Sequence, residues 1–170
     1  LAFTYFKLKK YPEAIETYKQ ALESDPTNAD AWIFLAQAYE QVANYDNAIA
    51  AYEKAIELRP DEKTFYFNLG VLYSKMKKDF EAALPHFRKA VELDSNYVDG
   101  IYNLGLVLFN LERYDEALPH FRKAVELEPT QADAWEMLGY TYSNVGEKDK
   151  GREAFEKAQR IKSGEELERE

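Results

Sequence analysis

Apolar residues return along the chain at helical spacing. Between residues 98 and 131, Ile101, Leu104, Gly105 and Leu108 fall at i, i+3, i+4 and i+7, one face of a helix. Tyr114, Ala117, Leu118, Phe121, Ala124 and Val125 repeat that spacing and predict a second helix. Small residues at Gly105 and Ala117 let two antiparallel helices approach closely, and Phe121 fills the space beside them. Asp115 and Glu116 suit a helix start, where acids meet the positive end of the helix dipole. Pro85 and Pro119 stand early in their second helices. A first-turn place is expected for them, because amide hydrogens there need no partner inside the helix.

The same pattern recurs. ALPHFRKAVEL runs from Ala83 to Leu93 and again from Ala117 to Leu127, an offset of 34. At about that offset Trp32, Tyr66, Ile101 and Trp135 align, then Leu35, Leu69, Leu104 and Leu138. Ala36, Gly70, Gly105 and Gly139 follow them. Later in each unit come Tyr18, Tyr52, Phe87, Phe121 and Phe155. Pro26, Pro60 and Pro129 close three units, and Ser95 and Ser163 take that place in two. Each helix pair alone exposes an apolar face, which stacking of neighbours buries.

These positions resemble the tetratricopeptide repeat (TPR) family, whose pattern is W-x2-L-G-x2-Y, A-x3-F, P at a period of 34. Trp135, Leu138, Gly139 and Tyr142 match its first part letter for letter. The resemblance implies an all-α fold, a right-handed superhelical solenoid of antiparallel helix pairs with about five units. The units are placed at 1–28 (partial), 29–62, 63–97, 98–131 and 132–165, with a polar tail at 166–170. The third unit is one residue longer. Its additional residue is expected in Lys77-Lys78-Asp79, where a loop between helices would absorb it. Lys148, Arg152 and Gln159 replace the apolar Tyr114, Leu118 and Val125, so the last unit reads as a cap. The first unit opens inside an apolar-periodic segment, with Phe3, Tyr5 and Phe6 in half a first helix. It reads as a cut end, frayed or packed on something upstream.

Charge narrows the function classes. Lys and Arg total 22 against 31 Asp and Glu, a net charge of −9, which repels phosphate backbones and disfavours nucleic acid. No apolar run approaches the ~20 residues of a membrane span. With no cysteine, disulfides, thiolate metal sites and cysteine nucleophiles are excluded. Cytoplasm and periplasm both stay open. No phosphate loop or cofactor motif occurs. The two histidines, His86 and His120, hold the same place in adjacent units, with Glu81 and Glu116 nearby. A shared metal needs more ligands than these supply, so solvent-facing copies of one duplicated residue are the favoured reading. Carboxylate pairs such as Glu53 with Glu57 read as solvated helix faces. No enzyme, cofactor or metal site is expected.

In the family, the first helices line a concave groove where partners lie. Carried over, the resemblance places Phe67, Asn68 and Val71 there, then Tyr102, Asn103, Leu106 and Phe109, then Met137 and Tyr140. The apolar members would anchor a partner, on the expectation that the repeat's own core does not use these places. The alternative is that they pack sideways on the next repeat. Asn68 and Asn103 resemble the asparagine ladders that hold peptide backbone in some TPR grooves, with Phe34 and Met137 interrupting on either side. The carboxylate clamp known in TPR co-chaperones is absent, because Ile33, Phe67, Tyr102 and Glu136, and Asp30, Thr64, Asp99 and Asp133, hold its places. Those acids favour an apolar ligand with basic flanks. The expected function is a protein-interaction module that binds a peptide or helix of a partner in the groove. The alternatives are a scaffold that self-associates through its open N-terminal end and a docking region of a larger enzyme.

Overall fold

The computed structural model describes residues 1–164. Residue 165, at the end of the fifth unit, and the tail 166–170 lie outside the described residues. Helices account for nearly all regular structure, and no strand occurs among the described residues. The chain divides into two compact units, the first ending at Leu93 and the second beginning at Asp94. The first holds α1 (Ala2–Lys7), α2 (Tyr11–Ser24), α3 (Ala29–Gln41), α4 (Tyr45–Leu58), α5 (Lys63–Val71) and α6 (Phe80–Leu93). The second holds α7 (Val98–Asn110), α8 (Tyr114–Leu127), α9 (Ala132–Asn144) and α10 (Lys148–Ser163). Odd and even helices pair in order, as the TPR solenoid requires.

One contact recurs inside the pairs. Gly70, Gly105 and Gly139 lie under the rings of Phe87, Phe121 and Phe155, so close that a methyl group would stand 3.0, 2.9 and 2.8 Å from ring carbons. The missing side chain lets the ring lie against the first helix. Phe87 and Phe121 are fully buried there. In the second pair Ala36 and Tyr52 hold those two places, and both are buried.

The turn inside each pair is also repeated. Lys9, Ala43, Lys78 and Glu112 take the left-handed conformation with φ of 56° to 59°, and Gly146 does so at 89°. The next amide donates back to the first helix, as in Asn44 N–H to the Tyr39 carbonyl and Arg113 N–H to the Leu108 carbonyl, both at 2.9 Å. A left-handed turn suits glycine, yet four of these five positions are not glycine.

The additional residue of the third unit is not in the turn. There the closing bond runs from Asp79 N–H to the Tyr73 carbonyl at 2.9 Å, spanning one residue more than its equivalents, while Lys78 keeps the left-handed place. The residue is taken up before the turn, where Leu72–Lys77 winds as a π-helix. A single wide turn accepts one insertion without changing the connection that follows. The loop expectation is corrected accordingly.

Pro85 and Pro119 also differ from expectation. Each is the sixth residue of its helix, past the first turn, and both are exposed. Each costs a carbonyl one turn earlier its amide partner, and solvent can replace it at an exposed position.

Turns between pairs use a different device. Trp32 Nε1–H donates to the Pro26 carbonyl at 2.9 Å, Tyr66 O–H to Pro60 at 3.0 Å, and Trp135 Nε1–H to Pro129 at 2.8 Å. Ile101 has no donor, and in that turn Ser95 replaces the proline. In α10 the expected capping residues Lys148, Arg152 and Gln159 are exposed, and burial is confined to Gly151, Ala154 and Ala158.

Two stability outcomes follow. Gly105→Ala gains about 1 kcal/mol of helix propensity but must displace a buried ring at a cost of about 1–3 kcal/mol, so a net loss is expected in urea unfolding. Deleting Lys75 should convert the π turn to α-helix and leave the melting temperature and helical circular dichroism unchanged or higher. Collapse of the fold on that deletion would contradict the assignment of the insertion.

Candidate functional site

The sequence-expected residues divide between the two units. In the first, Phe67, Asn68 and Val71 are half-buried on α5. Phe67 meets Phe87 edge-on, with centroids 5.7 Å apart at 64°. In the second unit Tyr102 meets Phe121 in the same way at 5.9 Å and 69°. Tyr140 meets Phe155 at 4.9 Å and 74°. These rings therefore take part in their own repeat's core, contrary to the expectation that the core does not need them. The reason is geometric: the core ring lies flat over the glycine, so its edge is within reach of the neighbouring first-helix side chain. Each such pair contributes about 0.5–1.5 kcal/mol beyond area burial. Tyr140 still exposes 52% of its surface.

Phe109 folds back over its own turn onto Tyr114 at 5.0 Å. Leu106 and Met137 are half-buried. Asn103 is half-buried and gives one amide hydrogen to its own helix, Nδ2 to the Asp99 carbonyl at 2.8 Å. Burial, with the carboxylates of Asp133 and Glu136 adding to it, pushes the Tyr102 phenol above its usual range. Those acids stand on α9, the next first helix of that unit. Two acids of the expected rim are already engaged, Asp30 with Arg59 and Glu136 with Lys162 at 2.6 Å.

The first unit contains a hollow of about 260 Å³ on its first-helix side. Phe6 of α1, Gln37, Glu40 and Gln41 of α3, Tyr52 of α4, and Asn68 and Val71 of α5 line it. Three consecutive first helices thus contribute to one cavity. Asn68 and Val71 are among the residues that the sequence places on the first-helix face, while Glu40 is not. Tyr52 is 1% exposed, and its hydroxyl donates to a Glu40 carboxylate oxygen. Burial raises the Glu40 carboxyl above the ordinary range, and the Tyr52 hydrogen bond opposes that rise in part. The Tyr52 phenol is pushed strongly upward by burial and by Glu40. A signal existed in the sequence: tyrosine stands at residue 52 where three later repeats carry phenylalanine. A buried hydroxyl needs a partner.

Two larger hollows lie on the second-helix side, one in each unit. In the first unit Leu22, Trp32, Leu35, Tyr39, Ala51 and Lys54 are among the lining residues, and in the second Val125, Trp135, Leu138, Tyr142, Ala154 and Lys157. Residue by residue they occupy the same repeat places. Ala51 and Ala154 stand where His86 and His120 stand in the other repeats. His86 stacks on Tyr73 with centroids 5.6 Å apart and planes 1° from parallel, and burial lowers its pKa. The histidine ring fills the place that alanine leaves open. His86 is thus a packing residue and not the solvent-facing one expected.

Glu40 gives a signed pH effect. Its carboxyl is raised on folding from an ordinary 4.5, so the folded state holds its proton more tightly. Stability from this group is present below 4.5 and declines as pH rises through the raised folded value. Glu40→Gln keeps an acceptor for Tyr52 and removes that decline. Relative to wild type the variant should gain stability between pH 4 and pH 7 in chemical unfolding. A variant that loses stability over that interval would contradict the burial of this carboxylate.

Residues 34–162 match the family described as the Cilia and flagella-associated protein 70 middle TPR-like domain, and residues 1–61 match Tetratricopeptide repeat. Tetratricopeptide repeat protein 37 of Xenopus laevis is 38% identical over 87 residues, 50% of this chain and 6% of that protein. The chain therefore spans a small fraction of the length of that relative. Among solved structures, MamA superposes with a TM-score of 0.89 at 25% identity, covering 96% of this chain and 95% of MamA. YrrB, described as a TPR protein with an unusual peptide-binding site, superposes at 0.83 with 29% identity, covering 95% and 83%. The matched family spans most of the chain, the recurring ring-on-glycine pairs supply its signature places, and the chain belongs to the tetratricopeptide repeat family of protein-interaction modules.

Proposed function

We propose that this chain binds an extended segment of a partner protein along its first helices, without covalent change to it. The observation that carries the reading is the cavity of the first unit, where α3 and α5 present side-chain amides beside Phe6 of α1 and Val71. Gln37, Gln41 and Asn68 offer donors and acceptors that suit a peptide backbone. In the second unit, taken by itself, Tyr102, Asn103, Leu106, Phe109, Met137 and Tyr140 offer apolar and amide groups on first helices. The working units are those at 1–28, 29–62, 63–97, 98–131 and 132–165. The likeness to YrrB, which has a peptide-binding site, supports the choice of ligand class.

A second reading has its own observation. Leu1, Phe3 and Leu8 are 81%, 46% and 63% exposed, and Phe3 sits edge-on against Phe34 at 5.2 Å. Apolar surface at that end favours self-association. A mass that rises with concentration in light scattering would support it, and a constant monomer mass would remove it.

The groove is tested by panning a random dodecapeptide phage library on the whole chain and on Tyr102→Ala/Leu106→Ala. Peptides enriched on wild type should bind the double variant about tenfold or more weakly, in keeping with loss of central apolar anchors. Equal binding to both proteins would remove the second-unit residues from the site.

A further inference from the structure

The Glu40 carboxylate is placed for a task that the fold does not require. Later repeats hold the same core place with phenylalanine, which needs no acceptor: Phe87 and Phe121 are fully buried without one. Tyr52 and Glu40 are together an elaboration of one repeat. The carboxylate is half-buried and accepts from Tyr52 through one oxygen. Among the described residues no lysine or arginine forms an ion pair with it. Among the described residues no basic residue lines its cavity, where the amides of Gln37, Gln41 and Asn68 stand beside Glu40 and Tyr52.

We infer that the cavity between α1, α3 and α5 takes a lysine or arginine side chain of the bound segment, paired with Glu40. This rests on the peptide-binding reading above and deepens it to a chemical specificity. A partly desolvated carboxylate gains more from an incoming cation than an exposed one does, since the surrounding dielectric is low. The opening is of side-chain size, about 260 Å³. Phe6 and Val71 would flank the aliphatic stem while the head group meets Glu40, the usual division of a long basic side chain. The amides of Gln37, Gln41 and Asn68 accept from the remaining N–H groups. Tyr52 fixes the orientation of the carboxylate and is a positioning residue. The acids Asp30 and Glu136 do not serve this purpose, because Arg59 and Lys162 already pair with them.

The test uses the whole chain and peptides enriched from the dodecapeptide library. The sequences should share one lysine or arginine at a fixed place relative to apolar neighbours. One such peptide is synthesised with the basic residue and again with norleucine, which keeps the stem and removes the charge. Both are titrated by fluorescence anisotropy into wild type and Glu40→Gln, with circular dichroism to verify folding. Glu40→Gln should weaken the basic peptide by about tenfold to a hundredfold, as for loss of a charge-assisted hydrogen bond, and leave the norleucine peptide unchanged. Absence of a shared basic position would overturn the inference and leave the groove reading standing. So would equal weakening of both peptides by Glu40→Gln. A library that yields no enriched peptide would overturn the groove reading and this inference together.

Discussion

A phenyl ring lying flat on a glycine sets the spacing of the helix pairs, and other features are consequences of it. The ring can reach the first helix because Gly70, Gly105 and Gly139 have no side chain. Once it lies there, its edge meets Phe67, Tyr102 or Tyr140 on the far side. The ring is thus a bridge between the repeat core and the surface a partner would use. Side chains on that surface are held by the core, which limits the rotamer freedom lost on binding.

The same contact explains the polar cavity. When tyrosine replaces phenylalanine, the hydroxyl is carried past the first helix to its open side. At Tyr52 it finds Glu40. At Tyr18, stacked on Phe34 at 6.0 Å and 5% exposed, the hydroxyl is buried without a hydrogen-bond partner among the described residues. One added oxygen therefore converts a structural position into a chemical one. The carboxylate it recruits is costly to bury ionised, and that cost makes it responsive to a cation.

Much of this was legible in the sequence, because the repeat places are fixed by packing at helical period. Trp135, Leu138, Gly139 and Tyr142 announce a first helix, and the aligned Tyr18, Tyr52, Phe87, Phe121 and Phe155 mark the second. What was not legible depends on how a position is used once neighbours surround it. A single inserted residue gives no sign that it will widen a helix at Leu72–Lys77 instead of lengthening a turn. His86 reads as a surface copy until its ring is seen against Tyr73. Glu40 reads as one acid among 31, and only the buried Tyr52 hydroxyl distinguishes it. Phe67 and Tyr102 read as first-helix surface residues, but their share in the core follows from ring orientation, which spacing does not encode.

The two faces of the helix pairs carry natural reporters that separate the competing sites. Side-chain amides of Gln37, Gln41 and Asn68 mark the first-helix cavity, while the indoles of Trp32 and Trp135 mark the second-helix hollows. A nitrogen–proton NMR titration of the labelled chain with an enriched peptide reads both sets in one experiment. The Gln37, Gln41 and Asn68 amide signals are expected to move while the two indole signals stay in place. Movement of the indoles with silent amides would put the partner on the second-helix side and contradict binding at the first-helix cavity.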